Sequence, residues 1–215
     1  MFLTEMFNRK LTMPDPQSAL PGRDDEAPTA ATHIVNGHSL KGPYPAGSQQ
    51  VLLGMGCFWG AERLFWKIPG VHVTAAGYAG GFTKNPTYQE MTTGLTGHAE
   101  VVLVVYDPAK VSLNGILKVF FEEHDPTQGM RQGNNIGTVY RSVVYVEDDE
   151  QLAQANAVRD VFQAALKTAG HGGRITTEIA RAKTFYFADA DHQQYLAKNL
   201  NGSCGLRPTG VRCAI

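Results

Sequence analysis

Gln50-Val51-Leu52-Leu53-Gly54-Met55-Gly56-Cys57-Phe58-Trp59-Gly60-Ala61-Glu62-Arg63-Leu64-Phe65-Trp66-Lys67 reads as an apolar strand, a tight turn and an amphipathic helix. The strand spans residues 50–55 and closes on glycine. The helix is predicted over 61–67, with Leu64, Phe65 and Trp66 as its apolar block and Pro69-Gly70 as its stop. Cys57 therefore falls at a strand-to-helix turn, near a helix N-terminus. Unpaired backbone N–H groups and the positive end of the dipole favour an anion there by roughly 0.3–1 kcal/mol. A thiolate is such an anion and is the reactive form of cysteine. A buried structural cysteine would have the same local sequence, so position alone leaves both readings open.

The chain has 215 residues, 43% hydrophobic and 18% charged, which predicts one domain with a sizeable core plus extensions. A formal net charge of −1 gives no reason to expect nucleic acid or an anionic membrane surface as a partner. The first ten residues are interrupted by charge too early for a signal peptide, and no later run reaches the ~18 apolar residues of a membrane span. A cytoplasmic, soluble protein is the expectation. Three cysteines in such a chain do not form a disulfide framework, and in a reducing compartment they read as catalytic or incidental.

Residues 1–46 hold Pro14, Pro16, Pro21, Pro28, Pro43 and Pro45 and no persistent period, so they form an irregular N-terminal arm. His33-Ile34-Val35 and Leu40 are its expected anchors. Residues 47–200 are the catalytic domain. Further strands are predicted at 71–78, 98–106, 140–146, 175–179 and 184–187. Helices are predicted at 88–91, 113–123 with Ser112 as N-cap, 149–168 and 190–199. Mixed but not strictly alternating elements give an α+β two-layer sandwich of a mixed sheet with helices. Residues 201–215 form a glycine-rich, flexible C-terminal tail carrying Cys204 and Cys213, neither in an element that would bury it. A nucleophile at a helix N-terminus and two tail cysteines suggest a relay: Cys57 oxidised to sulfenic acid, Cys204 condensing with it, Cys213 exchanging. The plain alternative is a tail whose cysteines are incidental. Zinc binding is disfavoured by the absence of CxxC spacing and paired histidines.

Gly56-Cys57-Phe58-Trp59-Gly60, Gly77-Tyr78-Ala79-Gly80-Gly81, Asn85-Pro86-Thr87-Tyr88, Gly97-His98-Ala99-Glu100, His124-Asp125-Pro126 and His192-Gln193-Gln194-Tyr195-Leu196 occur in this order. In these blocks the chain resembles the A-type peptide methionine sulfoxide reductases, from the arm near Ala19 to the tail. The resemblance implies a ferredoxin-like core, Cys57 as nucleophile and Glu100 as proton donor. It implies that Tyr88 and Tyr140 hold the sulfoxide oxygen, while Phe58 and Trp59 wall the S-methyl group. It further implies action on the S epimer of methionine sulfoxide, free and in proteins. No bound cofactor or metal is implied; the electron donor would be thioredoxin (dithiothreitol in vitro) and the enzyme a monomer. Chemistry agrees: oxygen leaves sulfur only if protonated, so the site needs a thiolate, an acid and hydrogen-bond donors. A lone carboxyl at the mouth of an apolar strand is expected to keep its proton.

Two positions depart from the family pattern: Asn135 stands where Asp is common, and Val139 where Gln is common. Asn135 is expected on the substrate-binding rim, with modestly altered kinetics. Two other readings remain at this stage. A peroxide-reducing thiol enzyme would want an arginine beside the cysteine, and Arg63 is poorly placed for that. A binding module for methionine-rich peptides would survive loss of Cys57.

Overall fold

The computed structural model describes residues 10–203 and 205–214, so Cys204 lies outside the described residues. The ordered elements are β1 (Gln49–Met55), α1 (Phe58–Phe65), β2 (Val71–Ala79), α2 (Tyr88–Thr92), β3 (Ala99–Tyr106) and α3 (Leu113–Glu122). A two-strand ribbon follows, β4 (Arg131–Gln132) with β5 (Asn135–Ile136), and then a 3₁₀ turn at Thr138–Tyr140. β6 (Ser142–Val146), α4 (Asp149–Thr168), β7 (Glu178–Arg181), β8 (Tyr186–Phe187) and α5 (Tyr195–Lys198) complete the chain. The main sheet runs β7-β6-β1-β3-β2-β8. All its pairs are antiparallel except β6 with β7, which makes the sheet mixed, as predicted.

Alternation along the strands sorts side chains onto two faces. On one face Val51, Leu53, Met55, Tyr78, Val102 and Val104 pack against Phe58 and Phe65 of α1, Phe120 and Phe121 of α3, and Phe162 of α4. On the other face Leu52, Ala75, Val101, Leu103 and Tyr145 are covered by Leu40 and Tyr44 of the arm and by Phe185 and Phe187. The sheet is thus a sandwich with helices on one side and the chain's own extensions on the other. Since α1 and β3 supply the helical face, whatever projects there from β3 meets the N-terminus of α1.

The helix boundaries follow from their caps. Ser112 Oγ accepts the Gly115 N–H at 3.1 Å, and Asp148 Oδ1 accepts that of Gln151 at 2.8 Å. Thr87 and Glu90 form a capping box that starts α2 at Tyr88. α1 begins earlier than the apolar block predicts, at Phe58, because Cys57 itself is the N-cap. Tyr140 does not open a strand but ends the 3₁₀ turn, and the ladder begins at Ser142. The predicted strand over 175–179 shifts to Glu178–Arg181, and the last helix shortens to Tyr195–Lys198.

Leu40 and His33 are fully buried, as anchors should be, whereas Ile34 and Val35 are 53% and 49% exposed. Arg23 closes the arm onto α2 through a bidentate pair with Glu90 (2.9 and 2.7 Å). The outer edge of β2 is also occupied: β8 pairs with Gly77 and Tyr78. At Ala76 the Gln193 side chain accepts the N–H at 2.9 Å and donates to the C=O at 2.8 Å. Asn36 donates to the His72 carbonyl at 3.0 Å. The tail is irregular but not loose where it meets α3, since Val211 and Cys213 are 8% and 9% exposed. The expectation that nothing buries Cys213 is therefore corrected. Among the described residues, no helix is long and apolar enough to cross a membrane.

Candidate active site

Cys57 is half-buried at the N-cap of α1, where the first turn's N–H groups converge. The preceding Gly56 has φ +94°, and a Cβ there would lie 2.6 Å from Cβ of Gln132. Only glycine gives this turn both the backbone sign and the clearance. The next residue points its backbone at the acid: Phe58 N–H donates to Glu100 Oε2 at 3.0 Å. Helix N-terminus, thiol and carboxyl are thereby tied within one turn.

Glu100 is the second residue of β3, buried and facing the helical side of the sheet. Burial raises its carboxyl to about 8, against which the Phe58 hydrogen bond pulls down. At neutral pH it carries its proton. With Oε2 accepting from Phe58, the other oxygen can present that proton to the site. Tyr78 of β2 stands directly opposite Glu100 in the strand register. Its hydroxyl is buried without a hydrogen-bond partner, and its ring lies 5.8 Å from that of Phe58. Tyr88 opens α2 and Tyr140 ends the 3₁₀ turn, bringing two half-buried phenols to the same place. Burial first, and then the neighbouring Glu100, with Cys57 also contributing, pushes both phenols above the ordinary tyrosine range. They remain neutral donors.

Trp59 packs its indole on Tyr195 with ring centroids 3.8 Å apart and 13° between planes. Its Nε1–H donates to His192 Nδ1 at 3.1 Å. His192 in turn lies 4.2 Å from the Tyr88 ring and 5.5 Å from that of Phe58. An aromatic enclosure of Phe58, Trp59, Tyr88, His192 and Tyr195 thus surrounds the turn that carries the thiol. Sequence reasoning assigned no role to Tyr78, His192 or Tyr195. The His192-Gln193-Gln194-Tyr195 block, dense in rings and amides, was the available signal.

Asn135 lies in β5, on a cleft of about 360 Å³ shared with Lys10, Thr92, Thr138 and Tyr140. It also faces the tail, since a Cβ on Gly205 would come within 2.5 Å of Asn135 Nδ2. Cys213 is fastened to α3: its N–H donates to Glu122 Oε1 at 2.8 Å and its carbonyl accepts from Lys118. Arg212 pairs with Glu122 and Glu123 at 3.0 and 2.6 Å. Among the described residues, Cys213 forms no disulfide. Among the described residues, no group of three His, Cys, Asp or Glu side chains is arranged to hold a metal ion.

A thiol at the N-cap position of a helix, beside a protonated carboxyl on an α+β sandwich, is the arrangement of a thiol oxidoreductase. Residues 49–213 match the family "peptide methionine sulfoxide reductase". The chain is 69% identical, over all of its own length and 99% of the relative's, to peptide methionine sulfoxide reductase MsrA 1 of Rhizobium meliloti (strain 1021). The solved methionine sulfoxide reductase A of Corynebacterium diphtheriae superimposes with TM-score 0.84 at 43% identity, covering 95% of this chain and 99% of that one. Mxr1 from Saccharomyces cerevisiae, solved in complex with Trx2, aligns with TM-score 0.50 at 26% identity, covering 76% and 90%. The chain belongs to the peptide methionine sulfoxide reductase family and is an enzyme of that class.

Proposed function

We propose that this enzyme reduces methionine S-sulfoxide, free and in proteins, by oxygen transfer to Cys57. The Cys57 thiolate attacks the sulfoxide sulfur while Glu100 gives its proton to the oxygen, which Tyr88 and Tyr140 hold through their hydroxyls. Within the sulfur–sulfur adduct so formed, the protonated oxygen shifts from the substrate sulfur to the Cys57 sulfur. The new sulfur–sulfur bond breaks with its electron pair leaving on methionine, so that the thioether departs and Cys57 is left as sulfenic acid. Cys204 then attacks that sulfur, releasing water and forming a disulfide. Cys213 displaces Cys57 from it by exchange, and a thioredoxin-type dithiol reduces the Cys204–Cys213 bond. The yeast relative solved with Trx2 supports that choice of donor.

The observation that carries this reading is the Phe58–Glu100 hydrogen bond of 3.0 Å, which fixes a protonated carboxyl beside the thiol turn. Phe58 and Trp59 wall the S-methyl group. Burying one methyl is worth roughly 0.8 kcal/mol, about fourfold, so epimer choice rests mainly on the oxygen's partners. The wrong epimer would leave those buried donors unpaired. Asn135 borders the substrate at the rim. Element order β1-α1-β2-β3-α3-β6 with central strand order β6-β1-β3-β2 supports a ferredoxin-like core. The enzyme acts as a monomer in the cytoplasm.

The test is incubation with racemic N-acetyl-methionine sulfoxide and excess dithiothreitol, chiral separation of the products, and Cys57→Ser in parallel. Loss of the S epimer alone, only with Cys57 present, is the expected result. Persistence of both epimers with a reduced Cys57 would sink the reading.

A further inference from the structure

Glu62 is a fully buried carboxylate on α1 that the chemistry above does not use. Its Oε2 accepts the Gln194 N–H at 2.7 Å, and its Oε1 accepts the Gln194 side-chain amide at 2.7 Å and the Thr74 hydroxyl at 3.2 Å. The protons can be ordered from the surroundings. Val35 N–H points at His33 Nδ1 at 3.3 Å, so His33 carries its proton on Nε2 and donates it to Thr74 Oγ1 at 3.0 Å. Thr74 then donates to Glu62. Every partner of Glu62 is a donor: burial raises its carboxyl to about 7, and the Gln194 and Thr74 donors, which the ionised form accepts, pull the other way. Gln194 also accepts the Ile34 N–H at 3.1 Å, so the arm grips the same residue from its other end.

Gln194 is held at φ +47°, the left-handed region, which a non-glycine residue adopts only under constraint. The bonds from Glu62 hold it there. On either side of it along the chain are His192 and Tyr195, the two rings that fix Trp59. Trp59 and Glu62 are three residues apart on α1, so one helix face grips residues 192–195 by rings at one point and by a carboxylate at the next.

We propose that Glu62 is a positioning residue for sulfoxide reduction. It fixes residues 192–195 in the turn that seats His192 and Tyr195 against Trp59, and the arm takes part through Ile34 and His33. The role rests on Trp59 being a wall of the methyl pocket, as proposed above. A carboxylate that merely completes a buried network would affect stability without reaching Trp59.

The experiment uses the full chain carrying Trp66→Phe, which leaves Trp59 as its single indole. Glu62→Gln turns one accepting oxygen into a donor facing other donors. Gln194→Gly keeps the left-handed backbone without strain and the backbone bond to Glu62, and deletes the side chain that joins Glu62 to Ile34. Acrylamide quenching of Trp59 is measured for each variant, with KM and kcat for N-acetyl-methionine S-sulfoxide under dithiothreitol. Expected are a quenching constant raised about twofold and a KM raised about tenfold, the scale of one pocket contact, with kcat within about twofold. Folded variants with unchanged quenching and KM, whatever their melting temperatures, would overturn the proposal. If Glu62→Gln does not fold, Gln194→Gly decides by the same criteria. A parent protein that turns over no sulfoxide refutes the proposed function instead, and the quenching result then judges Glu62 alone.

Discussion

Phe58 and Glu100 are joined by a hydrogen bond from backbone to carboxyl, so the acid is held by the residue that follows the thiol. Moving one moves the other. The first prediction concerns the proton that bond helps to place. The Glu100 carboxyl is raised from 4.5 to about 8, chiefly by burial. The carboxyl proton is therefore present below about pH 8 and is lost as pH rises through that value. Glu100→Gln is expected to lower kcat by about 10²–10⁴-fold, the usual contribution of a positioned acid. It should also abolish the alkaline limb of the kcat profile near pH 8. A limb that persists in the variant assigns it to another group.

Folding stability carries the same sign. Glu100 favours the folded state fully below its unfolded value of 4.5, and that contribution fades as pH rises toward about 8. Urea unfolding at pH 6 and pH 9 should show the wild type losing more stability than Glu100→Gln over that interval.

Gly56→Ala tests the thiol turn. It combines a φ of +94° with a 2.6 Å approach to Gln132 Cβ, and both are fixed by backbone. We expect a cost of about 1–3 kcal/mol in chemical denaturation and at least a tenfold fall in kcat/KM. Gly129→Ala is the control, because its φ is +66° with nothing within 4 Å of the new Cβ. It should cost only about 1 kcal/mol and leave activity intact. Equal effects from the two would show that the approach to Gln132 has no consequence.

Cys213 should be slow to react until Glu122 is removed. Burial pushes the Glu122 carboxyl up, but donors from Lys118, Cys213 and Arg212 outweigh that and hold it below its ordinary range. The clamp is accordingly intact above that range and fails as pH falls through the lowered value. In a Cys57→Ser/Cys204→Ser background, Glu122→Ala is expected to speed alkylation of Cys213 about tenfold, the worth of a hydrogen bond to a charged group. Mass spectrometry after timed exposure to iodoacetamide reads the rate. An unchanged rate would mean that apolar packing, not Glu122, keeps the tail down.

Asn135→Asp puts a carboxylate beside both Tyr140 and Gly205. Because Asn135 lines the cleft beside Lys10 and Thr92 and is not among the rings packed about Trp59, kcat/KM should change by no more than about threefold, with the S preference retained. A change of a hundredfold would move Asn135 from the rim to the chemistry.

The parts legible in the sequence were those written in local periods and caps. α4 falls at Asp149–Thr168, as its alanine-rich period predicts, and Ser112 caps α3. Cys57 at a helix start was readable because strand period, glycine and helix period meet there. What could not be read was long-range. Tyr78 opposite Glu100 is a fact of register between β2 and β3. Gln194 bound to Glu62 joins positions 132 residues apart. Cys213 looked unburied because nothing in a glycine- and proline-rich tail announces the Glu122 that receives its N–H. Tyr140 reads as strand because an aromatic and β-branched run follows it, but the ladder begins two residues later, at Ser142.

The covered edge of β2 bears on the company this enzyme keeps. Damaged polypeptides expose extended backbone, and an open strand edge would recruit them by ladder pairing regardless of sequence. Here Gln193 occupies Ala76, Asn36 occupies the His72 carbonyl and β8 occupies Gly77 and Tyr78. A client brought to Cys57 meets no template at these positions for adding itself as a seventh strand to a sheet of six. At these positions its backbone finds no ladder partner, and only side chains are left to hold it.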